Sequence, residues 1–97
     1  MTKLQFLLLK LAEEAGEIVQ IAAKTSQFGM LEKYPDQPFT NAERCHQEIN
    51  DLLAIIDMLN DEFNFSFVAD VYAMEMKKKK VNKYLAYSVR LGMVDPK

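Results

Sequence analysis

Four acidic side chains stand where amphipathic helices would carry their apolar ones. On a helix three residues advance about 300° and four about 40°, so side chains at these spacings share a side. Glu14 then falls among Leu7, Ile18 and Ile21, and Glu48 among Cys45, Leu52, Ile55 and Leu59. Glu17 and Asp51 follow at the edge of the same stripes, so that two segments each carry acid-x-x-acid-aliphatic: Glu14, Glu17, Ile18 and Glu48, Asp51, Leu52. If the stripes meet, four carboxylates converge in a partly dry space. Two unit charges about 5 Å apart repel by roughly 3 kcal/mol at an effective dielectric near 20, and protonation or cations must relieve that cost. Magnesium takes one or two carboxylates together with waters and substrate phosphates, so four acids can serve more than one ion. A single acid pair at this spacing ordinarily marks a solvated helix face, and Asp57, Asp61 and Glu62 fit that description. Position beside aliphatic residues sets the two matched pairs apart.

The elements that must position these acids are helices. From Thr2 to about Ser26, Leu4, Leu7, Leu8, Leu11, Ala15, Ile18, Val19 and Ala22 follow a three-and-four spacing, and Gly29 is a natural stop. Met30 to Phe39, with Pro35, Asp36 and Pro38, reads as a loop. Thr40 and Glu43 offer a capping box for a second helix running to about Asn64 through Cys45, Ile49, Leu52, Leu53, Ile56, Leu59 and Phe63. A third stretch, from about Phe67 to Ser88, is helical in one piece or two, and Gly92 and Pro96 close the chain. Short connections imply antiparallel neighbours. The expected fold is all-α: one domain over residues 1–97, an antiparallel helical bundle completed by oligomerisation into at least a dimer. A chain of 97 residues buries only roughly 65% of its unfolded surface, and its apolar helix faces are wide.

Composition narrows the function classes. Hydrophobic residues make up 49% and charged residues 27%, with a net charge of −2. No long-range field draws the chain to nucleic acid or to an anionic membrane, so an anionic substrate must be held by local chemistry. The longest unbroken apolar run, Leu52 to Ile56, is far short of a membrane span. The single cysteine, Cys45, forms no disulfide within the chain, and the N-terminus lacks a secretory signal pattern; both point to a soluble protein of a reducing, cytoplasmic compartment. Cys45 falls on the apolar face and His46 about 100° away from it, which argues for packing and solvent exposure and against zinc.

Glu13-Glu14-Ala15-Gly16-Glu17 is an E-E-x-x-E motif, and Glu48-Ile49-Asn50-Asp51 is E-x-x-D about thirty residues on. Their order and separation, with Lys10-Leu11-Ala12, Lys24 to Gly29, Asn41 through Leu59 and Lys78 to Asn82 as flanks, resemble the MazG-like branch of the all-α nucleoside triphosphate pyrophosphohydrolases. The resemblance implies hydrolysis of a nucleoside triphosphate between its α and β phosphates, giving a monophosphate and pyrophosphate, with nucleotide-pool cleaning as one role. It implies Glu14, Glu17, Glu48 and Asp51 as ligands of Mg2+, for which Mn2+ can substitute, and leaves Glu13 outside the ligand set. It assigns nucleotide contacts to Lys78 and Asn82, and Lys83 adds charge there; a nearby carboxylate, Glu17 or Glu14, is the candidate proton acceptor, and the thin core with wide apolar faces points to a homodimer or homotetramer. Most of Lys77 to Lys80 is a solvated run, because consecutive lysines point around most of a turn.

The chain starts immediately before the first acidic motif, where many relatives carry an extra helix over the base, so base selectivity is not implied. Tyr84, Tyr87 and Phe28 could stack on a base, although aromatics at helical spacing more often belong to a core. Two other readings compete. Phosphoribosyl-ATP pyrophosphatase shares the framework and the cleaved linkage, but Lys24 to Gly29 and the proline-containing loop are closer to the MazG-like branch. A non-catalytic helical partner protein would explain the aliphatic faces but not the matched acids.

Overall fold

The computed structural model describes residues 1–96. It consists of α1 (Lys3–Phe28), α2 (Asn41–Phe63) and α3 (Val71–Arg90), with no strand among the described residues, as an all-α chain should. The chain falls into two compact units, residues 1–67 with α1 and α2, and the segment from Val68 onward with α3.

Local chemistry sets where α1 and α2 begin and end. The Thr2 hydroxyl accepts from the Gln5 amide at 3.1 Å while the Gln5 side chain accepts from the Thr2 amide at 2.8 Å, a capping box absent from the sequence reading. Gly29, at φ 95, ends α1 and donates its amide to the Thr25 carbonyl at 2.8 Å; a side chain would be strained at that φ. The loop then folds back onto the start of α2. Asn41, 1% exposed, donates its side-chain amide to the Gly29 carbonyl at 2.9 Å and to the Glu32 carboxylate at 2.8 Å. Its backbone amide donates to the Glu32 carbonyl, and that of Ala42 to the Met30 carbonyl. The expected Thr40 and Glu43 box is present, and α2 ends at Asn64 in the left-handed conformation, φ 53.

The two helices run in opposite directions: Lys3 at the start of α1 pairs with Glu62 at the end of α2, while Thr25 and Cys45 meet at the other end, Oγ1 to Sγ 3.4 Å. Their inner faces follow a seven-residue repeat. Leu7, Leu11, Glu14, Ile18, Ile21 and Thr25 of α1, and Cys45, Glu48, Leu52, Ile55 and Leu59 of α2, are all buried or half-buried. This 4-3-4-3 spacing is the seam of paired helices. The wide apolar faces expected from sequence are therefore divided: Leu4, Leu8, Ala15, Val19 and Ala22 of α1, and Ile49 and Leu53 of α2, are exposed. One partner helix covers only one stripe.

α3 starts at Val71, later than the expected Phe67, because the Asn60 side chain takes both backbone groups of Phe67. It accepts from the Phe67 amide at 2.9 Å and donates to its carbonyl at 3.0 Å. The Asp70 carboxylate then caps α3 by accepting from the Ala73 amide at 3.0 Å. The helix is continuous to Arg90, and none of its residues is buried.

Candidate metal centre

Glu14 and Glu48 occupy seam positions where the repeat calls for aliphatic side chains, and both are half-buried. Asp51, one turn beyond Glu48, is exposed at the seam's edge. Glu14, Glu48 and Asp51 each offer a carboxylate oxygen within 4.8 Å of the other two. Glu17 is not in this trio. It is exposed and lines a polar cleft that begins at Glu48 and continues past Gln20, Ile21, Lys24 and Arg44. Thus three of the four expected ligands are gathered closely, and the fourth stands beside them.

The electrostatics reflect the crowding. Partial burial, followed by the neighbouring charges of Glu17, Asp51 and Glu14, pushes the Glu48 carboxyl above its ordinary value of 4.5; Arg44 opposes the shift. Glu43 moves the other way, because the Thr40 backbone amide and then its hydroxyl stabilise the carboxylate in the capping box. Glu13, adjacent in sequence to the trio, is engaged by Lys10 at 3.3 Å.

The donor set suits a hard divalent cation: it is all oxygen, anionic and set close together. Opposite ligands on one magnesium ion stand about 4.1 Å apart, twice the usual bond length. A spread of up to 4.8 Å therefore calls for a small inward swing or a bridging water. Three acids also exceed the one or two that magnesium normally takes, leaving room for a second ion.

The expected nucleotide contacts lie on α3. Lys78, Asn82 and Lys83 are all exposed. Lys78 and Asn82, four apart, share a side, while Lys83 is turned about 140° from Lys78. Lys78 makes an exposed pair with Glu75 at 2.9 Å, the kind that contributes little and exchanges readily. Tyr84, Tyr87 and Phe28 are exposed, contrary to a core placement, and the Arg90 guanidinium lies 5.6 Å from the Tyr87 ring centre. His46 is exposed and Cys45 half-buried. Sequence reasoning missed Arg44 and Gln20 altogether and used Lys24 only as a flank. Their signal was available: Arg44 precedes Glu48 by four residues, and Glu17, Gln20 and Lys24 follow one another at three and four.

Comparison of the chain with protein-family models, with curated proteins and with solved structures gives no match.

Proposed function

We propose that this chain is a magnesium-dependent nucleoside triphosphate pyrophosphohydrolase of the MazG-like kind. The observation that carries the reading is the trio Glu14, Glu48 and Asp51, whose ligand atoms lie within 4.8 Å of one another on a seam otherwise built from aliphatic residues. An apolar seam would be cheaper, since each unrelieved carboxylate pair costs stability. The cost is accounted for if the cluster exists to hold cations.

In this reading Glu14, Glu48 and Asp51 hold the metal, and Glu17 contributes from the cleft edge. A divalent ion held there supplies phosphate orientation, charge neutralisation and a lowered pKa for the attacking water. Glu17, beside the tight trio, is the better placed of the two candidate carboxylates to accept the water's proton, with Glu14 occupied as a ligand. Lys78 and Asn82, with Lys83, are proposed as nucleotide contacts on the strength of the resemblance. The exposed apolar stripes through Leu8, Ala15, Val19 and Ala22 and through Ile49 and Leu53 support a homodimer or homotetramer in which further helices complete the bundle.

The test is a panel of nucleoside triphosphates incubated with magnesium and resolved for products. Pyrophosphate and nucleoside monophosphate are expected; orthophosphate as the sole primary product rejects the cleavage position. The exposed apolar stripes equally favour a non-catalytic helical partner. Thermal melting separates the two: a ligand present at 100 times its Kd stabilises by about 2.7 kcal/mol. A melting temperature that stays flat across millimolar magnesium favours the partner.

A further inference from the structure

The polar cleft beside the trio carries two cations, Lys24 on α1 and half-buried Arg44 on α2, which line it together with Glu17 and Glu48. Such cations would ordinarily be counter-ions of the acids next to them. These are not paired in that way: the ion pairs among the described residues are Lys3 with Glu62, Lys10 with Glu13 and Lys78 with Glu75. Both line the cleft without an ion-pair partner among the described residues, and Gln20 lines it with them.

Formal charge says what would enter. Glu14, Glu17, Glu48 and Asp51 against Lys24 and Arg44 leave the site at −2. One divalent ion makes it neutral and a second makes it +2, so the cleft attracts anions only once the carboxylates are loaded. The cleft is shallow, with a cavity volume of about 30 Å³ and one side open to solvent. That is below the roughly 300–1,000 Å³ of pockets that enclose whole ligands. Phosphate oxygens can reach its lining side chains from the open side, whereas a base and sugar cannot enter.

We propose that Lys24 and Arg44, assisted by Gln20, form a phosphate subsite that holds the pyrophosphate end of a metal-bound polyphosphate. The inference rests on the pyrophosphohydrolase reading and assigns the leaving group its place. As the water oxygen bonds to the α phosphorus, its proton passes to Glu17 and the bond from the α phosphorus to the bridging oxygen breaks. The electron pair stays on the departing pyrophosphate. The guanidinium fork and the ammonium, further along the same two helices than the carboxylates, meet that growing charge.

The experiment is calorimetric titration of the full chain with manganese alone, with inorganic pyrophosphate in the presence of manganese, and with an α,β-methylene nucleoside triphosphate under the same conditions. The variants are Lys24→Gln, Arg44→Gln and the double substitution. Lys3→Gln serves as the charge control, at the far end of α1, about 30 Å along the helix. Manganese should bind the wild type and the variants alike, and both phosphate probes should bind the double variant at least tenfold more weakly while Lys3→Gln stays within twofold. Manganese binding with unchanged pyrophosphate affinity in the double variant overturns the subsite and leaves the metal reading standing. Loss for the nucleotide analogue alone also overturns it, because the cations would then serve base or sugar. Failure of the wild type to bind manganese overturns both.

Discussion

Glu48 sits at a seam position between Cys45 and Leu52, and its raised proton affinity follows from partial burial and from three neighbouring carboxylates. Its folded-state pKa lies above the unfolded value, so the stability it contributes is fully present below about 4.5 and is lost as pH rises through the raised value. Two consequences can be measured on Glu48→Gln, a nearly isosteric change. Without metal, the variant should melt no lower than wild type at neutral pH, because a repulsion has been removed. Pyrophosphohydrolase turnover should fall at least about tenfold, roughly 1.4 kcal/mol of transition-state stabilisation. Metal affinity of the wild type should also fall as the pH drops into the range where Glu48 protonates. Turnover near the wild-type level would refute the ligand role, and a collapsed melting temperature would mark structural damage instead. Glu62→Gln, which alters only an exposed pair with Lys3, is the control.

At the scale of elements, the α1 and α2 pair depends on a few buried groups. Leu59 is fully buried, and Leu7 and Ile21 nearly so. Asn41 is the one buried polar residue among those described, and it ties Gly29 and Glu32 to the start of α2. Asn41→Ala leaves the Gly29 carbonyl and the Glu32 carboxylate without that donor, and it should cost about 1–3 kcal/mol in urea unfolding. Leu59→Ala, a cavity change, should cost about 2–5 kcal/mol. If Asn41→Ala unfolds at the wild-type urea midpoint, the loop's hydrogen bonds do not hold the helices in register. This register matters to the site, because sliding one helix by a single turn would carry Glu48 about 5.4 Å away from Glu14.

At the scale of the whole molecule, many large apolar side chains stay exposed beside the inner seam. Val19 is 68% exposed and Leu53 46%, and an open apolar hollow is lined by Met1, Gln5, Leu8 and Leu9. Charge is also unevenly spread. Residues 1–67 hold eleven of the fourteen acidic side chains, and residues from 68 onward hold seven of the twelve lysines and arginines. The proposed assembly of several copies would cover apolar stripes of this kind. Light scattering at micromolar concentration should report a dimer or larger, and Val19→Glu together with Leu53→Glu should shift it toward monomer. A wild-type chain that is monomeric throughout would remove the bundle completed by oligomerisation.

Helix starts and stops were legible in the sequence where they depend on neighbours three or four residues away. The Thr40 and Glu43 box, the Gly29 stop and the shared angular position of Glu14 and Glu48 with their aliphatic neighbours are such local properties. The same locality explains the misplaced start of α3, since Asn60 reaches Phe67 across the turn after α2 and keeps it out of the helix. Periodicity gave α1 one broad apolar face and could not say that Leu7, Leu11 and Ile18 go inside while Leu8, Ala15 and Val19 stay out. That division depends on the register of α1 against α2, which the loop from Gly29 to Thr40 and the Thr25 and Cys45 contact beside it set together. The same register decided that Glu14, Glu48 and Asp51 gather while Glu17 turns toward a cleft shared with Lys24 and Arg44. Angular position on one helix is written in the chain, but the distance between side chains on two helices exists only once they pack.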